Sequence, residues 1–233
     1  MKSSRWQAQG NVYLVSESSP LAAEDVLSNV GDADGILEIL STGEDAVSIR
    51  IWNPDGSQAE MSGNGTRIAA RWLADRTGAK RVTVRVGPRK VVARMLEDGL
   101  VEQDMGEVSV GEPEEVAGVV LTPVDVGNPH AVVEGNPAEV TRIGPLLETH
   151  PRFPNRTNVQ VARRIGEHEI EARVWERGVG ETGSSGSSAV AVAAAFHMSS
   201  ATVRFPGGEL TVRLEGGRAY LTGPAERSEV ADS

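Results

Sequence analysis

Residues 173–196, RVWERGVGETGSSGSSAVAVAAAF, decide the fold, because the chain carries this stretch twice. Moved back by 123 positions it lands on residues 50–73, RIWNPDGSQAEMSGNGTRIAARWL. Arg50 falls on Arg173, Trp52 on Trp175, Ser62 on Ser185 and Gly63 on Gly186, without a gap. Each copy reads as an alternating strand, a polar Gly-rich turn, and a Ser-Gly step that opens an apolar helix. A period this long, present only twice, indicates two duplicated halves rather than a solenoid. A helix start offers amide N–H groups without intrahelical acceptors, and two such starts brought together would bind an anion such as a carboxylate. That paired site is the expected functional centre.

The repeat spreads in both directions from this stretch. Gly10-Asn11 sits 117 positions before Gly127-Asn128, and Asn158 lies 123 after Gly35. Downstream, VRVGPRKVVARMLEDGLVEQDMG in the first half matches VRFPGGELTVRLEGGRAYLTGP in the second. The pattern predicts strands at 11–15, 36–40, 47–52, 82–86, 90–96 and 100–105 in the first half. In the second it predicts 124–126, 131–133, 202–205, 209–214 and 219–222. Helices are expected at 20–30, from about 65 to 75, at 143–149 and at 187–197. The first central helix has Ile68, Ala69, Trp72 and Leu73 on one face and stops at Gly78. The second carries no charge before its end, and a helix apolar all round must be buried. Residues 106–118, rich in Gly, Glu and Pro, read as a linker. The expected architecture is α+β: halves at 1–114 and 115–233, each a set of strands around a central helix, with a cleft between.

Composition narrows the function. The net charge is −10 with 24% charged residues, which argues against a nucleic-acid partner or a membrane surface. No apolar run approaches 18 residues and the first 15 lack the apolar core of a signal peptide, so a cytoplasmic location is expected. There is no cysteine, which excludes disulfides, thiolate metal sites and thiol catalysis. The four histidines show no metal-ligand spacing. Neither a metal nor a cofactor is expected.

Taken singly, Ser62 or Ser185 is an ordinary N-cap. Equivalent positions in duplicated halves suit chemistry that treats two faces of one ligand alike, such as taking a proton from one face of a stereocentre and returning it to the other. Gly63, Gly65 and Gly186 serve turn geometry and also let a carboxylate approach the amides. The repeat breaks where Asn53 and Pro54 correspond to Glu176 and Arg177. An arginine there can clamp a second carboxylate and a glutamate can accept from an ammonium, although from spacing alone an ordinary surface salt bridge is the favoured reading of the two. Asn11, Asn128 and Asn158 stand beside Gly or turn signals, where asparagine is expected for backbone reasons. His130 reads as structural.

At these residues the chain resembles the diaminopimelate epimerases, a group of cofactor-independent amino-acid racemases. The resemblance rests on NPDGSQAEMSGNGTR, DMGE, GNPHAVV, GPLLETHPRFPNRTN, ERGVGETGSSGSSA, PGGEL and LTGPA, and spans nearly the whole chain. It implies inversion at one α-carbon of LL- or meso-diaminopimelate, in the making of lysine and peptidoglycan precursors. By position, Gly63, Asn64, Gly186 and Ser187 would hold the reacting α-carboxylate. Asn53, Asn128, Asn158 and Arg177 would hold the distal end, with Asn11 and Glu176 contributing and His130 in support. The resemblance further implies a small-molecule partner and a possible homodimer. The departure lies at Ser62 and Ser185, where the family has its cysteine base and acid. A serine hydroxyl stays neutral at pH 7 and accepts a carbon-bound proton poorly, so activity is expected to be reduced or lost. Two alternatives stand beside this one: a cleft that binds an amino acid without turning it over, and another racemase, dehydratase or PhzF-like isomerase on the same scaffold.

Overall fold

A computed structural model describes residues 2–228. The described residues part into two compact units: one runs to Gln103 and is completed by residues 223–228, and the other is Asp104–Thr222. The division expected at 114/115 is therefore displaced, and the first unit is finished by residues from the far end of the chain.

In the first unit β1 (Ser3–Ala8), β2 (Asn11–Ser16), α1 (Ala23–Asn29), β3 (Gly35–Thr42), β4 (Ala46–Trp52) and β5 (Gln58–Ala59) lead into α2 (Gly63–Thr77). Then come β6 (Arg81–Val86), β7 (Arg89–Met95) and β8 (Leu100–Glu107), whose end passes into the second unit. There follow β9 (Ser109–Val110), β10 (Glu114–Val116), β11 (Val119–Asp125), β12 (Pro129–Glu134), α3 (Val140–Glu148), β13 (Asn158–Arg164), β14 (Glu169–Glu176), β15 (Gly180–Thr182) and α4 (Gly186–Ala195). The chain closes with β16 (Ser200–Phe205), β17 (Gly208–Glu215), β18 (Arg218–Pro224) and β19 (Glu226–Arg227).

Strand pairing repeats the duplication. In the first unit β1 is antiparallel to β2, β2 parallel to β3, β3 antiparallel to β4 and β4 parallel to β6, and β6 to β8 form a meander. In the second unit β11, β12, β13, β14, β16, β17 and β18 follow the same sequence of parallel and antiparallel steps. The short strands β5 and β15 hang on β4 and β14 in the same way. β6 (RVTVRV) and β16 (SATVRF) even share one alternation of buried and exposed positions, with the apolar side chains turned inward.

Each unit closes its strands over its own helix. Ile68, Ala69, Trp72 and Leu73 of α2 pack among Val15, Leu37, Ile49, Val84, Ala93 and Val101. Val190 and Val192 of α4 are fully buried among Ile170, Val174, Val203, Leu210 and Leu221. Burying a side chain of this size stabilises by about 1.5–3 kcal/mol, so the apolar run of α4 belongs to its core. α2 keeps a polar stripe, with Arg71 and Asp75 paired at 2.6 Å one turn apart. It ends at Gly78, in the left-handed conformation at φ 75°.

Three expectations are corrected. Residues 106–118 hold two short strands rather than a plain linker, because Val110 and Val116 supply strand positions inside the polar composition. The helix expected at 20–30 begins only at Ala23. β1, unread in the sequence, is a full strand with Trp6 and Ala8 buried.

Candidate active site

The helix start of the first unit is built on Ser62, which sits in extended backbone (φ −145°, ψ 120°) as the N-cap of α2. Its Oγ accepts the Gly65 N–H at 3.0 Å, and Thr66 N–H donates to its carbonyl at 2.9 Å. That leaves the Gly63 and Asn64 amides without intrahelical acceptors. Position 65 is closely approached: a Cβ there would stand 3.0 Å from Leu37 Cδ2 and 3.2 Å from Ser62 Cβ, and both would have to give way slightly. The Tyr13 hydroxyl lies 3.1 Å from Ser62 Oγ.

Behind this turn lies a fully buried arginine. Arg67 donates to Asn64 Oδ1 at 2.6 Å and, through Nε, to the Pro224 carbonyl at 3.1 Å. Burial lowers its pKa to about 10, which still leaves it charged at neutral pH. In the amide orientation that satisfies both its ends, Gln103 donates to the Gly63 carbonyl and accepts from Thr66 Oγ1 and the Arg67 N–H. Because Arg67 holds Asn64 Oδ1, the Asn64 amide nitrogen turns to Asn11 Oδ1 and donates to it. Asn11 and Asn64 are thereby locked together beside Ser62.

The helix start of the second unit differs in one respect. Ser185 has the same extended backbone (φ −149°, ψ 128°), and Ala189 N–H donates to its carbonyl, yet its hydroxyl makes no cap hydrogen bond. Ser187 Oγ lies 3.5 Å away. The Ser185 hydroxyl is instead hydrogen-bonded to the carboxylate of Glu176, which also accepts from Thr182 Oγ1 at 2.6 Å. Burial pushes the Glu176 pKa up, and the two hydroxyl contacts only partly offset this. A Cβ on Gly186 would meet Leu221 Cδ2 at 2.7 Å, so this helix start depends on a missing side chain.

The remaining expected residues of this unit form a scaffold. Asn158 donates to the Pro129 carbonyl at 3.0 Å and accepts the Arg177 N–H at 3.0 Å, so both ends of its amide hold backbone. His130 is buried, with Nε2 3.1 Å from Asn128 Oδ1 and Nδ1 2.9 Å from Gln160 Nε2. Gln160 also donates to Ser188 Oγ in the first turn of α4, at 2.9 Å. Burial drives the His130 pKa down to about 3, and an amide N–H of Gln160 donated to Nδ1 suits the neutral ring. A neutral ring with Nε2–H turned to Asn128 fits this network. In the first unit Asn53 turns into the 53–57 loop and donates to Ser57 Oγ at 2.9 Å.

A buried carboxylate fixes the strand end before each turn. Glu38 accepts from Trp52 Nε1 (2.8 Å), Arg50 (3.0 Å), Ser19 Oγ (2.7 Å) and Leu21 N–H (3.0 Å). Glu148 accepts from Trp175 Nε1 and Gly178 N–H, both at 2.7 Å, which holds the turn carrying Glu176 and Arg177. Burial opposes ionisation at both, yet the donors win and keep both carboxyls below the usual range.

The family model described as Diaminopimelate epimerase matches residues 28–111 and 122–228. The chain belongs to the diaminopimelate epimerase family. It is 38% identical over 226 residues to a diaminopimelate epimerase of Pelotomaculum thermopropionicum, covering 83% of this chain and 81% of the relative. Another, from Synechococcus sp. (strain JA-2-3B'a(2-13)), is 37% identical over 259 residues and covers 95% and 89%. Among solved structures, that of a predicted epimerase from Pseudomonas aeruginosa superposes with a TM-score of 0.75 over 99% of both chains at 16% identity, a likeness of fold. Membership places the chain among the epimerases, as an isomerase by family. Among the described residues, no helix is long and apolar enough to cross a membrane.

Sequence reading missed Tyr13, Arg67, Gln103, Glu148, Gln160 and Thr182. Only Tyr13 had a signal: the 117-residue offset that pairs Asn11 with Asn128 also pairs Tyr13 with His130.

Proposed function

We propose that the chain inverts diaminopimelate at its α-carbon without a cofactor, at a rate well below that of a thiol enzyme. In this reading the chain serves lysine and peptidoglycan-precursor synthesis. The observation that carries it is the matched pair of N-cap serines, Ser62 and Ser185, each opening a buried helix. The amides of Gly63 and Asn64, and those of Gly186 and Ser187, hold the α-carboxylate. Arg177 is exposed and able to reach a distal carboxylate, while Asn158 holds its backbone in place. Asn128 and Asn53 contribute amide contacts at the same end. The rate is low because a neutral hydroxyl is a weak base, and one lone pair of Ser62 Oγ already accepts the Gly65 N–H.

A binding protein without turnover is the second reading, favoured by that same capping bond. Incubation with LL-diaminopimelate in D2O, followed by NMR, separates the two. Exchange of the α-proton by the protein itself supports slow catalysis. Exchange only in the Ser62→Cys/Ser185→Cys variant supports binding alone. If saturating diaminopimelate neither exchanges nor raises the melting temperature of either form, the substrate assignment fails.

A further inference from the structure

The two central helices differ in charge one turn past their starts. At the 123-residue offset Arg67 of α2 corresponds to Val190 of α4, and both side chains are fully buried. Elsewhere a buried charge meets its opposite: Glu38 pairs with Arg50 at 3.0 Å, and Glu148 with Arg156 at 3.5 Å. Arg67 has no such partner. Its acceptors, Asn64 Oδ1 at 2.6 Å and the Pro224 carbonyl at 3.1 Å, are neutral amide oxygens, and among the described residues no carboxylate pairs with it. A cation taken out of water without a counter-charge costs stability, so its retention here calls for a function.

The place of Arg67 supplies one. It donates to the side chain of Asn64, the second residue of α2, whose backbone N–H is one of the two without an intrahelical acceptor. Arg67 takes the oxygen of the Asn64 amide and Asn11 takes its nitrogen. The Asn64 side chain therefore cannot fold back to cap those N–H groups itself. The helix start stays open, and a full positive charge stands behind the partial charge of its amides.

Resting on the reading above, we infer that Arg67 is the positioning residue of the α2 helix start: its charge, unneutralised by the protein, draws the substrate carboxylate to the Gly63 and Asn64 amides, and its bond to Asn64 keeps those amides free. The missing counter-charge is the ligand's. α4 carries no charged residue along its length, so the α2 start is the stronger carboxylate site of the two.

The test needs no substrate in its first arm. The chain has no cysteine, so Ser62→Cys places a single thiol at this helix start. The pH midpoint of its alkylation by iodoacetamide reads the local potential, because the thiolate is the form that reacts. Arg67→Met should raise that midpoint by about 0.5 or more, whereas Arg67→Lys, which keeps the charge, should leave it near the value found with Arg67. In the second arm, without the thiol, Arg67→Met should weaken diaminopimelate binding about tenfold or more by calorimetry, with Arg67→Lys again close to native. Asn64→Asp serves if Arg67→Met does not fold. It hands Arg67 the carboxylate it lacks, and should raise resistance to urea while weakening diaminopimelate binding about tenfold. A midpoint unmoved by Arg67→Met, equal shifts from Met and Lys, undiminished binding in Arg67→Met, or a less stable Asn64→Asp would each overturn the inference. A native chain that does not bind diaminopimelate strikes the substrate reading instead, and the thiol titration then decides the charge of the helix start by itself.

Discussion

Replacing Glu38 by glutamine tests how the strand before the first helix start is fixed. The carboxylate accepts four donors, two on each oxygen: Ser19 Oγ and Leu21 N–H on one, Arg50 and Trp52 Nε1 on the other. Glutamine brings an NH2 to one end and cannot satisfy all four in either orientation. The cheaper orientation turns the NH2 toward Ser19, whose hydroxyl reverses to accept, and strands the Leu21 N–H. A stranded buried donor costs about 1–3 kcal/mol, and the bonds from Arg50 and Trp52 lose their charge assistance. The sum is about 2–4 kcal/mol at pH 7, read by urea denaturation with tryptophan fluorescence, for which Trp52 is a local reporter. The pH dependence has a defined sign. The folded pKa lies below the unfolded value of 4.5, so the stabilisation is complete above that value and is lost as pH falls through the folded pKa. The gap between native chain and variant must therefore narrow in acid. A loss under about 1 kcal/mol at pH 7, or a gap that stays constant down to pH 3, would refute the reasoning.

Other expectations concern the second unit and the close contacts. Glu148→Gln loosens the Gly178 turn, and should cost about 1–3 kcal/mol in denaturation and weaken diaminopimelate binding in thermal shift. His130, with a folded pKa near 3 against 6.5 unfolded, draws stability down as pH falls below 6.5, because only the unfolded chain takes up the proton. Between pH 6.5 and 5 that is about 2 kcal/mol, absent in His130→Gln, and urea titrations at the two pH values decide it. Gly144→Ala places a Cβ 2.5 Å from Trp175 Cγ, and Gly35→Ala places one 2.4 Å from the Trp52 carbonyl oxygen. Each should lower stability by about 1–3 kcal/mol or more, and a melting temperature unchanged in both would sink the packing argument.

The duplication was legible because it needs no contact map: strand, turn and helix recur at one offset, and Gly35 and Asn158 both begin their strands as that offset requires. β1 was not: in SSRWQA only Trp6 and Ala8 mark an inward face, and the Gln9-Gly10 turn that joins it to β2 reads equally as the entry to β2 alone. The composition of 106–118 misled because strand pairing there is made by backbone hydrogen bonds and needs little apolar surface: of the two strands' valines Val116 is buried and Val110 is exposed. At the site, the serine positions could be read, but their partners could not. Tyr13 reaches Ser62 across 49 residues and Trp175 reaches Glu148 across 27, and nothing local marks either. Asn158 was expected at the ligand's distal end, and its hydrogen bonds to Pro129 and Arg177 make it a backbone clasp in the present structure.

The pairing of β19 with β1 sets an order on biosynthesis. A ribosome releases the first hundred residues long before Glu226 and Arg227 exist, so the earlier unit waits with Trp6 and Gln7 lacking their neighbours. Its core lacks Ala225, and the interred guanidinium of Arg67 lacks the Pro224 oxygen. The later unit, contiguous from Asp104 to Thr222, has no such debt to the chain still to come. The half made first is therefore the half completed last.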